Sequence, residues 1–125
     1  MPNNLKDKIT IAVDGPAASG KGTIALALSK QYNLIYMDTG LLYRAVASKI
    51  IDNEVDIKNE RECYKSVKNM RLESLNYNEK SLRNEKTGFI ASKIASIEKL
   101  RNELLKYQKM LVDNIPENYL SLIHI

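Results

Sequence analysis

Ile9-Thr10-Ile11-Ala12-Val13-Asp14-Gly15-Pro16-Ala17-Ala18-Ser19-Gly20-Lys21-Gly22-Thr23 decides the fold of this chain. Its first five residues are a β-branched apolar run, the composition of a buried parallel strand. Gly15 to Lys21 then reads G-x-x-x-x-G-K, the core of a P-loop. Glycine permits backbone angles that turn successive N–H groups toward one point, making a concavity for anions. Ile24-Ala25-Leu26-Ala27-Leu28 follows with strong helix formers, whose unpaired N-terminal donors favour a phosphate. Lys21 adds a mobile positive charge for the outer phosphates. The competing reading is a ligand-free strand-to-helix turn, against which stands the coincidence of lysine, strand and helix. Gly15, Pro16, Ala17, Ala18, Ser19, Gly20, Lys21, Gly22 and Thr23 are therefore the candidate nucleotide-phosphate residues.

The position after Lys21, where a hydroxyl often serves magnesium, is Gly22, and the hydroxyl comes one step later at Thr23. Gly22 has no side chain to ligate a metal. No protein metal ligand is expected, and any Mg²⁺ is held by nucleotide phosphates and water, as that ion prefers.

Working outward, Leu34-Ile35-Tyr36-Met37 reads as a second parallel strand that delivers Asp38-Thr39-Gly40 to the ligand-binding edge of the sheet. Leu42, Val46 and Ile50, with Ala45 beside them, predict an amphipathic helix from Leu41 to about Asp52. The stretch 53–84 is polar, with a short surface helix expected over Glu60 to Asn69 and a weak strand over Met70 to Leu75. Phe89, Ile90, Ile94 and Ile97 recur at helical spacing, and Ile97, Leu100, Leu104, Tyr107 and Leu111 predict one long helix ending before Pro116. That stripe is read as core packing. Tyr119 to Ile125 reads as the opening of a third strand.

The chain has 125 residues, 44% hydrophobic and 27% charged, and a formal net charge of +4, the balance of one globular domain with a modest preference for anionic ligands. No basic block interleaved with aromatics points to nucleic acid. The polar N-terminus lacks the apolar core of a signal peptide, and no run reaches membrane-spanning length. Cys63 is the one cysteine, so no internal disulfide forms. It lies in a polar, surface-like stretch and reads as a structural or incidental thiol rather than a nucleophile. A cytoplasmic protein is expected.

The second chemical signal is Asp38-Thr39-Gly40-Leu41-Leu42-Tyr43-Arg44. Thr39 and Gly40 fall between strand and helix, and a guanidinium one turn later suits bidentate pairing with a phosphate. Taken alone, the same residues also read as a helix cap followed by a surface arginine. A third segment runs Leu82-Arg83, Gly88, Ala91-Ser92, Leu100-Arg101 and Tyr107-Gln108.

Together these three ordered segments resemble the cytidylate kinase family, the bacterial CMP/dCMP kinases. The resemblance covers about Ile9 to Tyr119 and is weakest across 53–82. It implies an α/β P-loop nucleoside monophosphate kinase fold: a parallel sheet with flanking helices, incomplete at the C-terminus. Residues 1–125 are then a partial kinase domain, 53–84 a polar substrate-side insert and 120–125 an unmatched tail. The implied reaction is ATP-dependent phosphorylation of CMP or dCMP by a monomer, with Mg²⁺. Asp38, Thr39, Gly40, Tyr43, Arg44, Ser92 and Arg101 are implied acceptor-side residues, with Arg83 beside them. Lys21, Arg44 and Arg101 are the implied catalytic cations. For Arg101 the competing reading is a solvated helix face.

Three departures accompany the resemblance, one being a polar middle shorter than in many of the family. Ala17 stands where the family often has serine. The Asp-Gly-Arg-Asp segment expected after the third strand is not in this sequence, and His124 lies in the unmatched tail. The alternatives are an adenylate kinase-like enzyme, or a nucleotide-binding fragment without turnover.

Overall fold

The structure is a computed structural model and describes residues 9–13, 27–28, 30–31, 35–114 and 120–124. The P-loop, 15–23, lies outside the described residues. Ala27, Leu28, Lys30 and Gln31 are helical, as the run of helix formers after the loop implies.

Three strands are described: β1 (Ile9–Val13), β2 (Ile35–Asp38) and β3 (Leu120–His124). They form one parallel sheet in the order β1-β3-β2. Ile9 pairs with Leu120 and Val13 with His124 on one side of β3. Ile35 pairs with Ser121 and Asp38 with His124 on the other. The strand expected near the end of the sequence is thus present, and it lies between the two earlier ones. This sheet belongs to one compact unit, 1–40 with 108–125, and the helices of 41–107 make a second.

β2 runs without a connecting loop into α1 (Thr39–Asp52). The helix therefore begins two residues earlier than its apolar spacing predicts, because Thr39 and Gly40 carry no apolar period of their own. Leu42, Val46 and Ile50 are buried as the period requires. The helix ends in paired backbone bonds: Val55 N–H donates to the Ile50 carbonyl and Glu54 N–H to that of Ile51. This is the Schellman pattern, with Glu54 in the left-handed conformation at φ 56°. Val55 then folds back against the core that contains Ile50.

α2 (Glu60–Asn69) matches its predicted span. The Asn59 side chain accepts from the Glu62 N–H at 3.2 Å, and Glu60 and Glu62 complement the positive end of the helix. Its buried face is Cys63 and Val67, one turn apart. The surface position expected for Cys63 is therefore overturned: the thiol is wholly buried and donates to the Asp56 carbonyl at 3.3 Å. Burial, with the nearby charges of Asp56, Glu60 and Glu62, pushes this thiol up, away from the reactive thiolate.

Met70 to Leu75 is not a strand. Leu72–Ser74 is a single 3₁₀ turn closed by Ser74 N–H on the Arg71 carbonyl. Leu72 and Leu75, three residues apart, lean together on the core. The Tyr77 hydroxyl donates to the Leu72 carbonyl and fixes the turn. α3 (Glu79–Leu82) is one turn, capped by Asn78.

The two helical patterns that meet at Ile97 are two helices, α4 (Glu85–Ser96) and α5 (Glu98–Asp113), the second being the long helix predicted from Ile97 onward and ending before Pro116. Ile97 is extended at φ −90° and ψ 109° and closes α4 through its N–H on the Ile94 carbonyl. Its own carbonyl accepts from Arg101 N–H and opens α5. Ile94, Leu100 and Leu104 are fully buried, so most of the stripe is core. Phe89 is the exception, at 59% exposed, with the Lys93 ammonium 5.4 Å from its ring centre.

Burial of the Tyr77 phenol, with Tyr107 and Glu73 nearby, pushes its pKa up to about 12. Tyr107 is raised for the same leading reason. A phenol that resists ionisation in the fold contributes stability fully present below the ordinary value of 10.0. That contribution is lost as pH climbs through about 12, because the unfolded chain ionises first. Urea midpoints measured between pH 9 and 12 are expected to fall steeply. Tyr77→Phe should flatten the fall, and an unchanged slope in that variant excludes Tyr77 as its source.

Candidate functional site

The side chains that bear on the site are built from α1, α3, α4 and α5. Arg44 lies on the second turn of α1, half-buried. Its Nη1 donates to the carbonyl of Leu82 at 3.1 Å. That carbonyl also accepts from Asn84 N–H. It belongs to the last turn of α3, where helical carbonyls have no partner within the helix, and a cation is the natural one. α3 thus ends on Arg44, and Arg44 is anchored by α3.

The two-nitrogen end of the same guanidinium packs against α4. An ideal Cβ placed on Gly88 would lie 3.3 Å from Nη1, 3.3 Å from Nη2 and 3.6 Å from Cζ. The two nitrogens are equally near and Cζ is farther, so the guanidinium meets the glycine with its Nη1–Nη2 end leading. Arg44, Arg83, Asn84, Glu85 and Gly88 line an open cavity of about 390 Å³. Asn84 caps α4 by accepting from the Thr87 N–H at 2.8 Å, so the helix N-terminus opens on the cavity rim. Arg83 reaches the same rim while paired through both Nε and Nη2 to Glu79. That pair is exposed on both sides and adds little stability. Two guanidiniums and a helix N-terminus make this a place for an anion, with Glu85 as the opposing charge.

Tyr43, the neighbour of Arg44 on α1, is half-buried. Burial raises its phenol pKa and the charge of Arg101 partly offsets the rise, so Arg101 on α5 stands within electrostatic reach of Tyr43. Arg101 is itself exposed, as the solvated-face reading has it, yet its charge falls on Tyr43. Ser92 is exposed on α4, one turn beyond Gly88 on the same face. Nine positions separate Ser92 from Arg101, and at about 100° per residue a straight helix would turn them to opposite faces. The break at Ile97 frees them from that constraint. One lies along the face that meets Arg44, and the other acts on Tyr43.

In the sheet-bearing unit, Asp38 is the half-buried last residue of β2 and Thr39 is buried at the start of α1. Gly40 is exposed, and a Cβ there would meet Asp38 Oδ1 at an ordinary 3.4 Å. The structure thus gathers Tyr43, Arg44, Ser92 and Arg101 on neighbouring faces of three helices. The nine loop residues from Gly15 to Thr23, Lys21 included, lie outside the described residues.

The residue types alone do not reveal the anchor of Arg44. A backbone carbonyl carries no side-chain signature, so Leu82 gives no signal. Gly88 does give one, being a glycine inside a helical pattern at a cost of about 1 kcal/mol relative to alanine.

An α/β chain with parallel strands and a helical unit that presents paired arginines to an open cavity falls among proteins equipped to hold anions. More particularly, the chain belongs to the cytidylate kinase family, whose model, described as cytidylate kinase, matches residues 11–119. It is 43% identical over 101 residues to a cytidylate kinase of Methylobacterium sp. (strain 4-46), across 81% of this chain and 47% of that one. Against a cytidylate kinase of Rickettsia rickettsii (strain Sheila Smith) the identity is 40% over 113 residues, covering 90% and 50%. A cytidylate kinase of Acidiphilium cryptum (strain JF-5) is 42% identical over 105 residues, covering 84% and 49%. The chain spans about half the length of these curated relatives. No helix among the described residues is long and apolar enough to cross a membrane.

Proposed function

We propose that this chain supplies the phosphate cradle and the acceptor side of an enzyme that transfers the γ-phosphoryl group of ATP to CMP or dCMP. The observation that carries the reading is the Arg44 guanidinium, tied to Leu82 and packed against Gly88 at the rim of a cavity shared with Arg83. A fork held in this way suits the phosphate of a nucleoside monophosphate. Family membership supports the finer fold, a P-loop nucleoside monophosphate kinase with its substrate side in 53–84.

In this reading Gly15 to Thr23 hold the ATP phosphates, with Lys21 on the outer ones. Arg44 and Arg101 neutralise the acceptor, and Asp38, Thr39, Gly40, Tyr43 and Ser92 position its phosphate, sugar and base. An acceptor phosphate oxygen attacks the γ-phosphorus as the bond to the bridging oxygen of ADP breaks. The protein's part is alignment and charge neutralisation, as is general for phosphoryl transfer. Gly22 offers no ligand, so Mg²⁺ would ride on phosphate oxygens and water, where it withdraws charge from the transferring group. We take the molecule to act as a cytoplasmic monomer on free nucleotides.

Titration calorimetry with ATP and, separately, with CMP tests the two halves of the reading. Both nucleotides are expected to bind. Lys21→Ala should weaken ATP binding about tenfold or more and leave CMP binding in place. Unchanged ATP affinity in that variant counts against the cradle, and no heat with CMP counts against the acceptor site.

A further inference from the structure

We propose that Gly88 is a positioning residue for the acceptor phosphate, acting through Arg44; the inference rests on the acceptor-site reading above. α4 carries its glycine in mid-helix, where alanine would form the helix better. Its place in the structure supplies a reason. With no Cβ at 88, the two Nη atoms of Arg44 come within 3.3 Å of the place a Cβ would take. The Leu82 carbonyl takes a hydrogen of Nη1. Among the described residues no acceptor takes those of Nη2 or Nε, so they remain for a ligand.

The two supports divide the work. Leu82 fixes one corner of the fork, and Gly88 sets how closely its two-nitrogen end approaches α4. A methyl group at 88 displaces that end by a few tenths of an ångström. A branched side chain there swings the fork off the helix while leaving its charge in the neighbourhood. Bidentate pairing depends on where the fork is held, whereas simple charge attraction does not. Geometry therefore makes Gly88 matter for an acceptor phosphate more than for any ligand that only senses positive charge.

The test uses the full chain with Gly88→Ala and Gly88→Val, each titrated with CMP and with ATP and each melted. CMP affinity is expected to fall about three- to tenfold in Gly88→Ala and about thirtyfold or more in Gly88→Val, with ATP affinity unchanged. Gly88→Ala should at the same time melt higher, by roughly 3–6 °C, because alanine favours the helix. Affinity and stability thus move in opposite directions, which a residue of purely structural importance does not produce. In an Arg44→Ala background, Gly88→Ala should cost CMP nothing further, since the group it positions is gone.

Unchanged CMP affinity in both variants overturns the inference. So does an equal loss of CMP affinity in the Arg44→Ala background, or a joint loss of CMP and ATP binding with a lower melting temperature. If the unsubstituted chain does not bind CMP, the acceptor-site reading falls first, and this inference falls with it.

Discussion

Arg44→Ala is expected to lower the affinity of the chain for CMP by about two orders of magnitude, with ATP affinity within about threefold of the parent. The size follows from what the side chain does. Its guanidinium is held at two points, so little of its ordering cost remains when a phosphate arrives. Truncating one partner of a desolvated charge pair costs about 2–5 kcal/mol, and each 1.4 kcal/mol is a factor of ten. Arg44→Lys should recover only part of the loss, because an ammonium keeps the charge but not the fork. Removing Arg44 also leaves the Leu82 carbonyl short of one donor, so the melting temperature should drop by a few degrees. A CMP affinity unchanged in Arg44→Ala would remove the acceptor assignment.

Leu104→Ala is expected to destabilise the chain by about 2–5 kcal/mol, read as the shift in urea unfolding free energy. Leu104 has no solvent exposure and sits in the cluster formed with Val46, Ile50, Cys63, Ile94 and Leu100. Its removal subtracts apolar transfer energy and leaves a cavity that rigid helices close only in part. Against a typical total of about 5–15 kcal/mol, such a loss brings the helical unit near its threshold. The neighbouring Leu105 is the internal control. It is 48% exposed, and Leu105→Ala should change stability by no more than about 0.5 kcal/mol. Equal effects from the two leucines would contradict the helix phase on which the core description rests.

How much of this was legible in the sequence depends on which residues carried the information. α2 matches its predicted limits, with Asn59 and two acids at its start, but its buried face was not legible, because Cys63 stands in a polar stretch that reads as surface. The long helix from Ile97 onward was legible, but spacing alone carries no mark of the break before it. Ile94, Ile97, Leu100 and Leu104 advance in steps of three and four, so the apolar period runs through the break as though the helix continued. Met70 and Leu72 alternate like a strand, yet backbone closure at Ser74 and the Tyr77 hydroxyl make a turn instead. Phe89 fits the helical spacing and still faces water, since spacing reports neighbours along one helix and not whether another helix covers them.

In the candidate site, residue types pointed to Arg44 directly, and helix spacing gave its place on α1. What they did not reveal is how Arg44 is held, which depends on a main-chain carbonyl and on a missing side chain. Polar contacts made by the backbone leave no trace in composition. A glycine leaves one only as an anomaly in an otherwise good helix. Arg101 is the intermediate case: its exposure agrees with a solvated face, while its charge offsets part of the rise in the Tyr43 phenol.

The strand order carries a consequence for biosynthesis. β1 and β2 are made early and do not pair with each other; each waits for β3. A nascent chain emerging from the ribosome therefore holds two unpaired strand edges through the synthesis of every helix from α1 to α5. Such edges invite pairing with neighbouring chains. The helical unit between them closes with contacts internal to 41–107, so its compaction can precede the sheet. Slow translation of the later helices would lengthen that exposure, and chaperone demand should rise with it.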